Sequence, residues 1–285
     1  MMSNVISPVN FIDRNNPLRT HKLNVFFYSG KNALPIIKKT SGTYYKNIDG
    51  NQLDYINNYW KEITSVNPKA FNGNLAKIES ISSNEIFVSF VDYKAFIATS
   101  KFDFYGNNSN IIANPLTVTP IIITKDNKLI VGYRKNTKNL QFPGGMLDFF
   151  KDGNEKQLYI EKCAKREISE ELCPINIFNY KYLGASISLK DIFSTLYVYC
   201  HTNCSFDDIL QTRNKRKNEI VDFWEMPEIF AVDLNQNSLS EILNKNCTGT
   251  MSAGIMLLGR RLYGKKWYLE NMRKQFGGVY IDFNC

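Results

Sequence analysis

The residues in this chain best suited to do chemistry are Arg166-Glu167-Ile168-Ser169-Glu170-Glu171. Read as a helix, positions 167, 170 and 171 are spaced i, i+3 and i+4, so three carboxylates share one face. On a plain surface helix this costs roughly a few tenths of a kcal/mol per like-charged pair, and Arg166, four before Glu170, offsets only part of it. The arrangement makes sense where a hard divalent cation sits among the oxygens. Mg²⁺ takes a few carboxylates, keeps waters, and completes its octahedron with phosphate oxygens. A solvated charged face is the competing explanation and the fate of most charge runs. Arg-Glu-aliphatic-x-Glu-Glu arises by chance in about one chain of this length in a thousand, and here it follows a Pro143-Gly144-Gly145 turn. We read the helix as a metal–pyrophosphate site.

Several elements must position it. Residues 118–124 predict a strand, Lys125-Asp126-Asn127-Lys128 a turn, and residues 129–133 the return strand, with Arg134 after it. The hairpin leads into Leu140-Gln141-Phe142-Pro143-Gly144-Gly145. Asn154 is a candidate N-cap for the acidic helix, with Gln157 as its capping-box partner, and Pro174 ends the helix. Leu158, Ile160, Ala164, Ile168 and Leu172 would supply its buried side. Strands over 182–188 and 193–199 suit a mixed sheet. Residues 205–218 read as a solvated polar loop, with phosphate or RNA contact through Arg213-Asn214-Lys215-Arg216-Lys217 as the alternative. Glu219 then precedes a strand over 220–224, and 251–274 reads as a helix.

Upstream, residues 1–22 predict an irregular arm and 23–28 a strand. Leu53, Ile56, Tyr59, Trp60 and Ile63 are at helical spacing over 52–63, and Asn67-Pro68 ends that helix. Two β-prone runs follow, one through Ile78 and one over 85–91. Asn107-Asn108-Ser109-Asn110 marks a domain junction.

Pro143-Gly144-Gly145 followed by Arg166-Glu167-Ile168-Ser169-Glu170-Glu171 resembles the Nudix box, G-x5-E-x7-R-E-U-x-E-E-x-G-U with U aliphatic. The match departs in its first half: 20 residues lie between Gly145 and Arg166, against 13 in the pattern. Counted back from Arg166, the isolated Glu of the pattern falls on Leu158, and its late Gly falls on Cys173. An insertion at 148–154 would lengthen the loop before the helix. The resemblance implies an α/β fold, a Nudix-type α/β/α sandwich with a mixed sheet at 113–285, plus an N-terminal α+β extension at 1–112. It implies hydrolysis of a nucleoside diphosphate linked to another group, with Mg²⁺ or Mn²⁺ on Glu167, Glu170, Glu171 and the backbone carbonyl of Gly144 or Gly145. Arg166 would orient Glu167 or Glu170. Glu219 is the candidate for the acidic loop residue that some members use as general base or extra ligand. Arg134 and Phe142 are candidate substrate-binding residues. The segment Asn67-Pro68-Lys69-Ala70-Phe71-Asn72-Gly73, with Asp92-Tyr93-Lys94, resembles the branch holding UDP-glucose/UDP-galactose diphosphatases. That branch points to a UDP-sugar. Capped or 5′-modified RNA, ADP-ribose or dinucleotides, and a catalytically inactive nucleotide-binding module are the alternatives.

The whole chain sets looser bounds. Its 285 residues suffice for one large or two small domains. A hydrophobic fraction of 44% and a charged fraction of 22% are ordinary for a globular protein. The net charge of +8 favours anionic partners. Six cysteines are scattered in a chain too long to need disulfide staples, which predicts reduced thiols and a cytoplasmic location. Cys200-His201-x-x-Cys204 lacks a second ligand pair at zinc spacing. No apolar run approaches membrane length and no leader pattern opens the chain, so no membrane partner is expected. Composition leaves the oligomeric state open.

Overall fold

The computed structural model describes residues 24–28, 33–82, 84–100, 112–135, 137–188, 193–276 and 282–284. The arm expected at 1–22 and the junction expected at 107–110 lie outside the described residues. Among those described, no helix is long and apolar enough to cross a membrane.

Two mixed sheets organise the chain. The larger runs β12 (Glu228–Asp233), β6 (Lys128–Arg134), β5 (Leu116–Ile123), β11 (Phe193–Thr202), β10 (Ile177–Ser188), β1 (Asn24–Tyr28) and β13 (Asp282–Asn284). Short strands β7 (Asn139–Gln141) and β8 (Gly145–Met146) pair with β6 and β5. The β5–β11 and β1–β13 pairs are parallel, and the other pairs in this sheet are antiparallel. The smaller sheet runs β3 (Asn74–Ile81), β4 (Glu85–Asp92), β2 (Ile36–Thr43) and β9 (Gln157–Leu158). Helices α1 (Gly50–Val66) and α2 (Tyr93–Thr99) pack together over it.

Alternation along β5 shows the layering. Ile121 and Ile123 pack with α5 (Gln236–Leu243) and α6 (Gly249–Phe276), while Ile122 packs on the opposite face with Ile168, Leu172 and Ile209. Successive strand residues point to opposite faces, so one strand serves both cores. The acidic helix α3 (Ile160–Glu167) and helix α4 (Phe206–Lys215) thus cover one face, and α5 with α6 the other. This is the α/β/α sandwich with its N-terminal α+β extension. The two parts expected at 1–112 and 113–285 each lend a strand to the other. β1 pairs with β10 in the large sheet, and β9 pairs with β2 in the small one.

Three local expectations are corrected. Asn154 does not cap α3: its Oδ1 accepts from the backbone N–H groups of Lys156 and Gln157, each at 2.9 Å, in a turn that feeds β9. Leu158 is therefore a strand residue paired with Ile37, and α3 starts two residues later with no side-chain cap. Residues 205–218 are not a loop, because Ser205 and Asp208 form a capping box that starts α4. Residues 220–224 form turns rather than a strand, since the Asp222 N–H donates to the Glu170 carbonyl at 2.8 Å instead of to a neighbouring strand. The long C-terminal helix is broken once, at Gly264, whose φ of 83° is open to glycine.

Candidate active site

The loop–helix segment brings its charged groups together on one guanidinium. Arg166 Nε donates to Asp152 Oδ1 at 3.1 Å and Nη2 to Asp152 Oδ2 at 2.8 Å, a bidentate pair. Nη1 donates to Glu167 Oε1 at 2.6 Å and to Glu170 Oε2 at 3.0 Å, and Nη2 reaches the Met146 carbonyl at 3.0 Å. Asp152 is buried at 1% exposure. The sequence reading missed it. It lies seven positions after Gly145, against six for the Glu of the pattern, so most of the extra residues fall after it, in the segment that makes β9, and not over 148–154. Counting back from Arg166 put the pattern's isolated Glu on Leu158, but the carboxylate that reaches Arg166 from before the helix is Asp152. An acidic residue close behind the Gly-Gly turn was the available signal.

Glu171 leaves the guanidinium and turns to the loop: its Oε2 accepts from the Gly144 N–H at 3.1 Å. Gly144 has φ 153° and its Cα lies against strand β5, where a Cβ would fall 2.7 Å from the Val118 carbonyl oxygen. At Gly145 a Cβ would fall 2.4 Å from Glu167 Oε1. The turn therefore needs glycine for close approach, and the approach sets the carboxylates against the backbone. The helix continues past Glu167 as a π-helical turn, Ile168–Leu172, which carries Glu170 and Glu171.

Burial sets the electrostatics. Loss of solvent pushes the Glu167 carboxyl up to about 7, with Arg166 opposing and Glu170 adding to the shift. Burial also lifts Glu171 well above the usual carboxylate range, and the neighbouring charge of Glu167 adds to it. Among the described residues, no group of three His, Cys, Asp or Glu side chains closes on a single ion position. Glu167 and Glu170 are drawn to Arg166, and Glu171 to the Gly144 amide.

These groups line a cavity of about 980 Å³. Of the expected residues, Arg134, Phe142, Gly145, Arg166, Glu167, Glu170 and Glu171 line it. Glu219 does not. It is exposed on the far side of its loop and pairs with Arg216 at 2.6 Å. Asp222 and Glu225, from the turns that follow, reach the cavity in its place. Glu225 lies 3.6 Å from Arg134, and burial raises its carboxyl despite that neighbour. Arg213, expected in solvent, is 1% exposed. Its Nη1 donates to the carbonyls of Glu171 at 2.5 Å and Leu172 at 2.6 Å, and its Nη2 to that of Met226. A cation at the end of the acidic π turn thereby ties the turn to the loop bearing Asp222 and Glu225. The five described cysteines are free, and Cys200 is buried with its thiol on the Ile121 carbonyl.

No family profile and no curated protein matches this chain. Solved structures do match. A hydrolase of the Nudix family from Clostridium perfringens is 16% identical, with 51% of this chain and 96% of that chain covered and a TM-score of 0.35. The MutT protein from Methanosarcina mazei Go1 is 11% identical, with 56% and 94% covered and a TM-score of 0.34. A bifunctional NMN adenylyltransferase/ADP ribose pyrophosphatase from Francisella tularensis, complexed with AMP and a Mn ion, is 14% identical, with 51% and 41% covered and a TM-score of 0.31. The chain resembles these Nudix proteins over about half of its length.

Proposed function

We propose that this chain is a divalent-metal-dependent hydrolase of a pyrophosphate bond in a nucleoside diphosphate linked to a second group. A UDP-sugar, cleaved to UMP and a sugar 1-phosphate, is the first choice of substrate. The observation that carries the reading is the Arg166 hub: Asp152 fixes the guanidinium, and the guanidinium fixes two of three clustered carboxylates at one cavity. The cavity's charged lining is Glu167, Glu170, Glu171, Asp222 and Glu225 against Arg134 and Arg166. An anionic diphosphate would be repelled from such a wall without added positive charge. Buried carboxylates of raised pKa are likewise groups that a cation would relieve. Mg²⁺ or Mn²⁺ therefore fits the donor set by type, with Glu167, Glu170, Glu171 and the Gly145 carbonyl as the groups to hold it. Such an ion supplies phosphate charge neutralisation and a bound water of lowered pKa.

The chain's own residues do the rest. Arg166 orients Glu167 and Glu170. Arg134 offers a planar guanidinium to phosphate oxygens, and Phe142 lies beneath them as part of the apolar floor. Glu225 replaces Glu219 as the candidate proton acceptor, because it reaches the cavity and burial raises its carboxyl above the ordinary value. The choice of a UDP-sugar draws support from the N-terminal part, since Tyr93 of the Asp92-Tyr93-Lys94 segment also lines the cavity. Capped RNA is second. The basic run that favoured it loses Arg213 to the interior.

Turnover of a panel (UDP-glucose, ADP-ribose, NADH, diadenosine polyphosphates and capped RNA) with Mg²⁺ or Mn²⁺ tests the reading. Phosphate-coupled release from one class, abolished in Glu170→Gln, is the expected result. Nucleotide binding with no turnover of any member would sink the enzyme reading and leave a binding module.

A further inference from the structure

Helix α2 belongs to the N-terminal part, yet it presents two aromatic rings to the cavity that holds the acidic cluster: Tyr93 and Phe96. Their centroids are 6.0 Å apart at 59°. Trp60 of α1 backs Tyr93 edge-on, at 6.5 Å and 83°. The Arg134–Glu225 pair lines the same cavity and is near enough to act on both the Tyr93 hydroxyl and Glu171. The cavity therefore offers aromatic rings as well as charged groups, with this ion pair near both. Two amides, Asn139 and Asn246, which hydrogen-bond to each other at 2.5 Å, also line it, and Asn139 is the cross-strand partner of Arg134.

The turn at residues 67–73 supports the Tyr93 ring. The Asn72 side chain donates to Asp92 Oδ2 at 2.9 Å and accepts from the Lys94 N–H at 2.7 Å. The Gly73 carbonyl accepts from the Tyr93 N–H at 2.9 Å. Asp92 in turn caps α2 through the Ala95 N–H at 2.9 Å and receives the Tyr45 hydroxyl at 2.7 Å. Contacts at three consecutive residues, Asp92, Tyr93 and Lys94, thus fix the backbone that carries the Tyr93 ring. A rigid ring, held without cost in rotamer freedom at binding, suits a flat aromatic ligand.

We propose that Tyr93 and Phe96 form the nucleobase platform of the site, with the base stacked on α2 and the phosphates running past Arg134 towards Glu171. Asn72 is the positioning residue of that platform. The inference rests on the nucleotide reading above and names where its base is bound. It makes the N-terminal part a component of the substrate site.

Calorimetric titration of the full chain with Mg²⁺ present tests it, with UMP, CMP, AMP and GMP as ligands and inorganic pyrophosphate as the ligand without a base. Tyr93→Ala should weaken the preferred nucleotide by about tenfold or more, the scale of one base–aromatic stack, and leave pyrophosphate unchanged. Tyr93→Phe, which keeps the ring and should keep the fold, should stay within about threefold of wild type. Asn72→Ala should weaken nucleotide and spare pyrophosphate in the same way. Equal losses for nucleotide and pyrophosphate in Tyr93→Ala would overturn the proposal. So would an equal loss in Tyr93→Phe, or wild-type chain that binds none of the four nucleotides. Turnover by the wild-type chain separates the two ideas. If it turns over no substrate but nucleotide binding still depends on the Tyr93 ring, hydrolysis fails and the platform stands.

Discussion

Glu167 offers a measurement of how the site is built. Its folded-state carboxyl is raised from 4.5 to about 7, chiefly by burial. For an acid shifted upward, the folded state holds the proton more tightly than the unfolded one. Folding stability is then full below about pH 4.5 and is lost as pH rises towards 7. At about 1.4 kcal/mol per unit, the ionised carboxylate destabilises the metal-free fold by about 3 kcal/mol at alkaline pH. Glu167→Gln mimics the protonated form and removes this loss. In EDTA, the variant should therefore melt higher than wild type by on the order of 5–10 °C near pH 8.5, and nearly level with it near pH 5. Thermal or urea unfolding at both pH values reads the difference. Adding Mg²⁺ should raise the wild type at high pH and not the variant, because an ion that binds only the folded state stabilises it. A stability gap that is the same at both pH values, or a variant less stable at high pH, would refute the reasoning.

Arg213→Met should destabilise the fold by about 3 kcal/mol or more, since it strands the carbonyls of Glu171, Leu172 and Met226 in the interior, and chemical denaturation would show it. Asp152→Asn keeps the volume but removes the charge that holds Arg166. It should lower kcat by roughly tenfold to a hundredfold while KM changes little, the range seen for groups supporting metal ligands. Glu225→Gln should depress kcat and flatten the acid limb of the rate profile, where a base must lose its proton to act, whereas Glu219→Gln, exposed and outside the cavity, should match wild type. Equal effects of these last two would remove Glu225 from the mechanism.

What the sequence made legible was local. The i, i+3, i+4 carboxylates, the glycine turn and the strand β5 are all written within a few residues of themselves; the strand lies where it was expected, and the carboxylates line one cavity although a π turn carries Glu170 and Glu171. What it hid depended on distant partners. Asp152 reaches Arg166 across a loop, and only its place behind the Gly-Gly turn hints at it. The insertion was expected at 148–154, but most of the extra residues follow Asp152, because what orders them is β2, more than a hundred residues earlier. Arg213 sits in a basic run that looks solvated, and only the fold shows that its guanidinium ends in three carbonyls. The Ser205–Asp208 capping box was readable and was outweighed by the charges after it. Residues 220–224 have strand-forming side chains, but a single bond from Asp222 to Glu170 decides their backbone.

The pairing of β1 has a consequence for the order in which this molecule can be made. Asn24–Tyr28 is made before its partners, Gly184–Ser188 and Asp282–Asn284, which lie far along the chain. Closing so wide a loop is entropically expensive, and the segment has no ladder to join until β10 exists. The N-terminal hairpin β3–β4 and its helices pair locally and can form at once. During synthesis, then, the small sheet should mature while the strand in front of it waits. The last seam to close in the large sheet joins the earliest described residues to the latest.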